Sequence, residues 1–200
     1  MMTRLGIVSD RTYFSQIVRM ATTPNGVCGL RIHGHQVSAL HEKILCIPEL
    51  PEKWLERINF YEALHIGFTD LRFIWLRRKN RVAQAISLFL ATRSRVWKKR
   101  LGSRAAEPVI DYDFAGIDRL VHRLEYQDLS WQRFFEDHGI QPLQLIYEDF
   151  IENYEETIRG VLNFLEVQPL STAIHPPRLM RQSGERSLLW EKKYKEETAS

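Results

Sequence analysis

The sequence predicts an α/β protein with a mainly parallel sheet flanked by helices. Short runs of large apolar residues recur along the chain, and segments with apolar residues at helical spacing separate them. A length of 200 residues with 44% hydrophobic content is enough to bury one substantial core. Because no linker, internal repeat or low-complexity tract interrupts the pattern, we expect residues 1–200 to form a single domain.

Each element is predicted from its apolar pattern. Short apolar runs bounded by turn or polar residues predict strands at residues 26–32, 71–76 and 143–147. Helical spacing predicts helices at residues 10–21, 52–64, 82–97, 114–135, 154–165 and 188–197. Ser9-Asp10 is typical of a helix start, whereas Pro24-Asn25-Gly26, Gly102 and Gly139 are typical of helix ends. Strands that alternate with helices of this length favour βαβ units and parallel pairing.

Bulk properties exclude several classes of protein. The net charge of +3 gives only a mild preference for anionic partners. No run approaches the roughly 20 apolar residues of a membrane span, and the first residues lack the apolar core of a secretory signal, so we expect the cytoplasm. Cys28 and Cys46 have no metal-ligand or disulfide spacing and are interpreted as buried hydrophobic residues.

A basic cluster follows the strand at residues 71–76 and precedes the next helix. It contains Arg77, Arg78, Lys79 and Arg81. Ligands bind at the carboxyl ends of parallel strands, where a guanidinium and the start of a helix both suit a phosphate, and Ser87 could add a hydroxyl. Two other interpretations stay open: a solvated charge run, and a nucleic-acid-binding module that uses the basic residues from Arg77 to Arg104.

Four blocks of the sequence carry a resemblance to a known family. They are residues 23–32, 77–87, 147–150 and 181–183. In this order they resemble successive blocks of the bacterial trehalose 2-sulfotransferase and lipopolysaccharide sulfotransferase family, and the likeness covers nearly the whole chain. The resemblance implies a P-loop-like fold and transfer of a sulfuryl group from 3′-phosphoadenosine 5′-phosphosulfate to a sugar hydroxyl. It implies no metal and no nucleic acid, a carbohydrate or glycolipid acceptor, and a chain that can pair as a homodimer.

The resemblance also implies roles for individual residues. An arginine and a serine of the family hold the 3′-phosphate; Ser87 lies nine residues after Arg78 and ten after Arg77, and the choice between the two arginines stays open. A polar tail in related enzymes covers the nucleotide, which suggests Arg181 as a further contact. The candidates for acceptor contact are His33, His35 and Gln36, together with Trp97, whose ring could stack on a sugar at the end of its predicted helix. A metal site at the two histidines is the less favoured interpretation, because neither a cysteine nor a convincing carboxylate accompanies them.

One part of the family pattern has no match. The family's first strand, its phosphosulfate loop and its acidic base would lie upstream of the helix that starts near Ser9, and no GxxxxGK[ST] loop occurs. We therefore predict that the first strand and phosphate loop are missing, that the base lies upstream of Met1, and that this chain alone has little activity. The alternative is a non-catalytic remnant of the fold that binds adenosine phosphates or regulates another protein.

Overall fold

The structure of the protein is a computed structural model, and it describes residues 10–45, 57–97, 109–167, 174–177 and 184–199. The chain divides into two compact units, Met1–Arg72 and Phe73–Ser200. Among the described ranges, no helix is both long and apolar enough to cross a bilayer. That residues 1–200 form a single domain stays a prediction.

The first unit is helical within its described residues. Its elements are α1 (Asp10–Ala21), a 3-10 helix (Gly34–Gln36), α2 (Val37–Leu45) and α3 (Phe60–Gly67). Asn59 caps α3: its Oδ1 accepts from the backbone N–H of Glu62, and the Glu62 carboxylate accepts from the Asn59 N–H. Ile44 of α2 is fully buried. The structure confirms the predicted helix at 10–21 as α1, whereas α2 was not predicted. Of the helix predicted at 52–64, residues 52–56 lie outside the described residues, residues 57–59 are not helical, and α3 begins at Phe60.

The predicted strand at residues 26–32 is wrong. A tight turn with Gly26 at φ +83° brings Thr22 and Cys28 into an isolated antiparallel bridge, and the Thr23 N–H donates to Val27 O at 2.9 Å. Beyond Cys28 the side chain of Leu30 is exposed. An apolar run becomes a strand only where another strand accepts its hydrogen bonds, and the described residues supply none here.

The second unit contains the sheet. Its elements are β1 (Ile74–Arg77), α4 (Arg81–Ser94), α5 (Phe114–Asp137), β2 (Leu143–Ile146), α6 (Tyr147–Glu152), α7 (Tyr154–Phe164) and α8 (Glu185–Thr198). The strands pair in parallel, from Ile74 beside Leu143 to Arg77 beside Ile146. The predicted mixed α/β class and parallel pairing are thus confirmed, as a small sheet in a mostly helical structure. The P-loop-like arrangement and the missing first strand stay predictions.

The two faces of β1 differ. On one face Trp75 is buried and its ring lies 5.4 Å from that of Phe135 in α5. Trp131 stacks on Phe135 as well. On the other face Ile74 and Leu76 are exposed. The sheet is therefore fixed to the rest of the unit through α5.

The main core lies between α4, α5 and α8. Ile86 of α4 and Ile117 of α5 are fully buried, and Trp190 of α8 packs edge-on against Phe89 of α4. Tyr194 of α8 is buried too, and its hydroxyl donates to the carboxylate of Asp118 at 2.7 Å. The C-terminal helix is therefore part of the core of this unit.

Two helical regions differ in detail from their predictions. The helix predicted at 82–97 stops at Ser94, because Arg95 adopts a left-handed conformation with φ +59°. The prediction that Trp97 ends this helix is therefore wrong. The predicted helix at 154–165 is confirmed as α7, but a separate helix, α6, precedes it.

Candidate functional site

The turn between β1 and α4 lies at the carboxyl end of the parallel strands, where the sequence predicts an anion site. Asn80 is the N-cap of α4, and its Oδ1 accepts from the backbone N–H of Ala83 at 2.9 Å. Asparagine favours this position because its short side chain reaches an N–H that has no partner within the helix. The cap fixes where the turn residues leave β1 and enter α4.

Arg77 and Arg81 bind the same carboxylate. Arg77 donates to Oδ2 of Asp128 from Nε at 3.0 Å and from Nη2 at 2.8 Å, and Arg81 donates to that oxygen from Nη2 at 2.6 Å. The Asp128 side chain, from α5, is only 12% exposed. The Arg77 guanidinium also lies over the ring of Trp75. Both arginines are thus held against α5 by charge-assisted bonds.

Glu148 binds the backbone of the turn. Its two carboxylate oxygens accept from the Lys79 N–H at 2.9 Å and the Asn80 N–H at 3.3 Å. Burial acts to raise the pKa of Glu148, but these backbone hydrogen bonds and the charge of Arg78 outweigh it and lower that pKa. The sequence predicts that the acids after the strand at 143–147 cap backbone N–H groups. In the structure, the N–H groups that Glu148 caps belong to the turn that follows the neighbouring strand, β1.

Arg78 forms fewer hydrogen bonds than Arg77 and Arg81. Its Nε lies 3.4 Å from Oε1 of Glu148, and its guanidinium lies 4.4 Å from the centre of the Tyr147 ring. Within the described part of the chain, its terminal nitrogens donate to no protein group. The Arg78 side chain is 22% exposed. Its guanidinium is therefore oriented by two contacts while its terminal N–H groups stay available to a ligand.

Acidic residues balance the basic cluster. The cations are Arg77, Arg78, Lys79 and Arg81, and the facing acids are Asp128, Glu148, Asp149 and Glu191. Lys79 forms the most exposed pair, with Asp149. A surface that binds nucleic acid depends on cations that are free to neutralise backbone phosphates. The paired cluster does not favour that interpretation and suits a small, directed anion contact.

The other predicted nucleotide contacts, Ser87 and Arg181, and the predicted acceptor contact Trp97 give less information. Ser87 lies in α4 and is exposed, and the described residues show no contact between it and Arg78. Trp97 is 60% exposed and lies beyond the end of α4. Arg181 lies outside the described residues. The structure thus brings Arg77 and Arg78 together at one turn, and leaves Ser87 and Trp97 as exposed side chains.

The other predicted acceptor contacts lie in the first unit. His33 and His35 stack with ring centres 5.7 Å apart, and the Gln36 side chain accepts from the His33 N–H at 2.9 Å. Burial, then the charges of Arg31 and His35, lowers the pKa of His33. The described residues contain no group of three or more potential metal ligands. This pair is an exposed aromatic surface.

Sequence reasoning missed two carboxylates of the site. Asp128 lies in the middle of a long amphipathic helix, and Glu191 lies in a helix rich in exposed charges. Neither shows a local signal, because each residue's partner is distant in the chain. The sequence could have indicated these two acids only through a search of the predicted helices for carboxylates that could face the basic cluster.

Comparison with known proteins identifies relatives. The model of the family described as Stf0 sulphotransferase matches residues 4–197. The trehalose 2-sulfotransferase of Mycobacterium tuberculosis is 26% identical over 176 residues, which cover 88% of this chain and 63% of the relative. That of Mycolicibacterium smegmatis is 26% identical over 189 residues, covering 92% and 66%. The chain therefore spans just under two thirds of the length of each of these curated relatives.

Proposed function

Because the chain belongs to the Stf0 sulphotransferase family, we propose that it takes part in sulfuryl transfer from 3′-phosphoadenosine 5′-phosphosulfate to a sugar hydroxyl. In this reaction the bond between sulfur and the donor's phosphate oxygen breaks, a bond between sulfur and the sugar oxygen forms, and the hydroxyl loses its proton. The relatives described as trehalose 2-sulfotransferases support trehalose as the acceptor. Lipopolysaccharide-type glycans are a second acceptor class, supported by the resemblance alone.

The available guanidinium of Arg78 carries this proposal. Arg77 and Arg81 share one carboxylate, whereas the terminal N–H groups of Arg78 are not bound by the described residues. A guanidinium offers two parallel donors to a phosphate, and its orientation by Glu148 and Tyr147 lowers the entropic cost of binding. Arg78 therefore holds the 3′-phosphate of the donor, and Arg77 supports it from the end of β1.

The remaining roles follow from the family resemblance. Ser87 and Arg181 are further contacts to the nucleotide, and His33, His35, Gln36 and Trp97 are contacts to the acceptor. We assign the base that takes the hydroxyl proton to none of the described residues. The same resemblance supports a protein that can pair as a homodimer and needs no metal, and a cytoplasmic location stays the expectation from the sequence.

Calorimetry with two nucleotides tests the role of Arg78. The wild type should bind 3′-phosphoadenosine 5′-phosphate more tightly than adenosine 5′-phosphate, since only the first carries the 3′-phosphate. Arg78→Ala should weaken binding of the first about 10–100-fold, the size of a charge-assisted hydrogen bond, and leave binding of the second unchanged. Arg159→Ala is the control, because Arg159 is an exposed arginine whose carboxylate partner, Glu155, lies on its own helix.

Several results would count against the proposal. If Arg78→Ala retains the preference for the 3′-phosphate, Arg78 does not hold this group; if Arg77→Ala then loses that preference, the role passes to Arg77. If the wild type binds neither nucleotide, the chain is not a donor-binding protein. Tight nucleotide binding without sulfated product when trehalose and donor are supplied would favour the non-catalytic alternative.

A further inference from the structure

Glu191 of α8 connects the C-terminal helix to the turn between β1 and α4. Its Oε1 accepts from Nδ2 of Asn80 at 2.9 Å and from Nζ of Lys195 at 2.6 Å. The Glu191 side chain is only 14% exposed. Burial acts to raise its pKa, but the hydrogen bonds from Lys195 and Asn80 and the charges of Lys195 and Arg78 lower it. Glu191 is therefore a carboxylate at neutral pH.

The core holds Glu191 in place. Trp190, the preceding residue, packs against Phe89 and Tyr112, and Tyr194, three residues further, is hydrogen-bonded to Asp118. Residues on both sides of Glu191 are thus anchored in the same helix. A carboxylate that projects from a helix fixed at two neighbouring positions has little freedom to move away from its partner.

The contact selects one orientation of the Asn80 amide. Oδ1 of Asn80 caps α4 by accepting from the Ala83 N–H, while Nδ2 donates to Glu191. A flipped amide would place its oxygen against the Glu191 carboxylate and leave the Ala83 N–H without an acceptor. Glu191 thus favours the orientation that caps the helix.

We propose that Glu191 is a positioning residue for the anion-binding turn: by orienting the Asn80 cap, it fixes the turn that presents Arg78 to a phosphate. The inference rests on the proposed function for its ligand, the adenosine 3′-phosphate, and on hydrogen bonds of the second unit for its mechanism. Glu191 itself need not touch the nucleotide.

Nucleotide affinity provides the first test. Glu191→Ala should weaken binding of 3′-phosphoadenosine 5′-phosphate about fivefold, the size of a typical lost N-cap, and Glu191→Gln should stay within about twofold because its amide oxygen can still accept from Asn80. Glu196→Ala is the control: Glu196 lies on the same helix and pairs with Lys192 at 3.8 Å. Like Glu191→Ala, this variant removes one carboxylate and one ion pair with a lysine four residues away, and we expect no change in affinity.

Amide hydrogen exchange provides a second test that needs no ligand. In the free protein, Glu191→Ala should speed exchange of the Ala83 N–H about fivefold, because the Asn80 cap loses its orientation, whereas Glu196→Ala should not. Unchanged exchange at Ala83 in Glu191→Ala would overturn the inference, whatever the affinity. If Glu191→Ala fails to fold, Glu191→Leu decides: its side chain fills a similar space but cannot accept from Asn80, and exchange of the Ala83 N–H equal to that of wild type would overturn the inference.

The two proposals can fail separately. If the wild type does not bind the nucleotide, the proposed function fails and the exchange at Ala83 alone decides the role of Glu191. If the wild type binds it and Glu191→Ala binds equally well, only the positioning role fails.

Discussion

The turn between β1 and α4 and the 3-10 helix at Gly34–Gln36 show opposite ways of displaying polar side chains. In the turn, carboxylates from α5, α6 and α8 bind its arginines, backbone and cap. At the 3-10 helix, His35 stacks on the N-cap residue His33, and the Gln36 side chain accepts from the His33 N–H, three residues earlier. The turn is therefore organised by the fold of its unit, and the 3-10 helix by its own sequence.

This difference separates two kinds of functional residue. Side chains fixed by distant partners are pre-organised, so a ligand need not supply the energy to order them. Substitutions there should change both stability and binding. Exposed side chains with local contacts should change binding alone. The following predictions test that separation, from the largest expected effect to the smallest.

Removal of the shared carboxylate should have the largest effect on stability. Asp128→Ala leaves the guanidiniums of Arg77 and Arg81 without their partner in a partly buried place, and we expect a loss of about 2–4 kcal/mol in the free energy of unfolding. Urea denaturation measures it. Asp149→Ala is the matched control, because its pair with Lys79 is more than half exposed on both sides, and it should cost less than about 1 kcal/mol. Equal losses in the two variants would contradict the distinction.

Loss of the Glu148 charge should have a smaller, pH-dependent effect. Because the folded state lowers the pKa of Glu148, its contribution to stability is present above the unfolded pKa of about 4.3 and is lost as pH falls through the lower folded value. Glu148→Gln should therefore cost about 1–2 kcal/mol at pH 7 and show a shallower loss of stability on acidification. Urea denaturation from pH 7 to pH 3 checks this, with Glu152→Gln, an exposed glutamate of the same helix, as control. Parallel curves of unfolding free energy against pH for wild type and Glu148→Gln would show that the hydrogen bonds from the Lys79 and Asn80 N–H groups do not depend on the charge of Glu148.

The exposed histidines should have the smallest effect on stability. We expect His33→Ala and His35→Ala to change the free energy of unfolding by less than about 0.5 kcal/mol. If they contact the acceptor, each should weaken the affinity for trehalose about two- to fivefold, the size of one exposed polar contact, and leave nucleotide affinity unchanged. Calorimetric titration with trehalose in the presence of 3′-phosphoadenosine 5′-phosphate measures this without turnover. An unchanged trehalose affinity in both variants would remove the pair from the acceptor site.

Elements whose apolar pattern is strong and local were predicted correctly. The helix at Phe114–Asp137 and the two strands carry their own packing surface in their sequence, so no distant partner was needed to recognise them. The prediction of a strand at 26–32 is wrong because a strand forms only beside a pairing strand, and the local sequence does not show whether one is present. The predicted end of α4 is wrong because Arg95 adopts the left-handed conformation, which is unusual for a residue other than glycine.

The basic side of the site was predicted from the sequence, together with capping by the acids that follow the strand at 143–147. Arg77, Arg78 and Lys79 are consecutive, so their pattern after a strand indicated an anion contact. The acids that face them come from other elements, and only the folded chain brings them together. Asp128 of α5 binds the terminal N–H groups of Arg77 and leaves those of Arg78 available to a ligand. No local sequence pattern could show this difference, because it depends on where α5 places Asp128.

The placement of Trp190 and Tyr194 in the main core has a consequence for biosynthesis. Both residues are synthesised after β1, α4, α5 and β2, yet they close the apolar space between α4 and α5. The nascent second unit cannot complete this core until α8 has left the ribosome. A nonsense mutation at Trp190 should thus yield a product that cellular proteases degrade, even though every residue of the turn is still encoded.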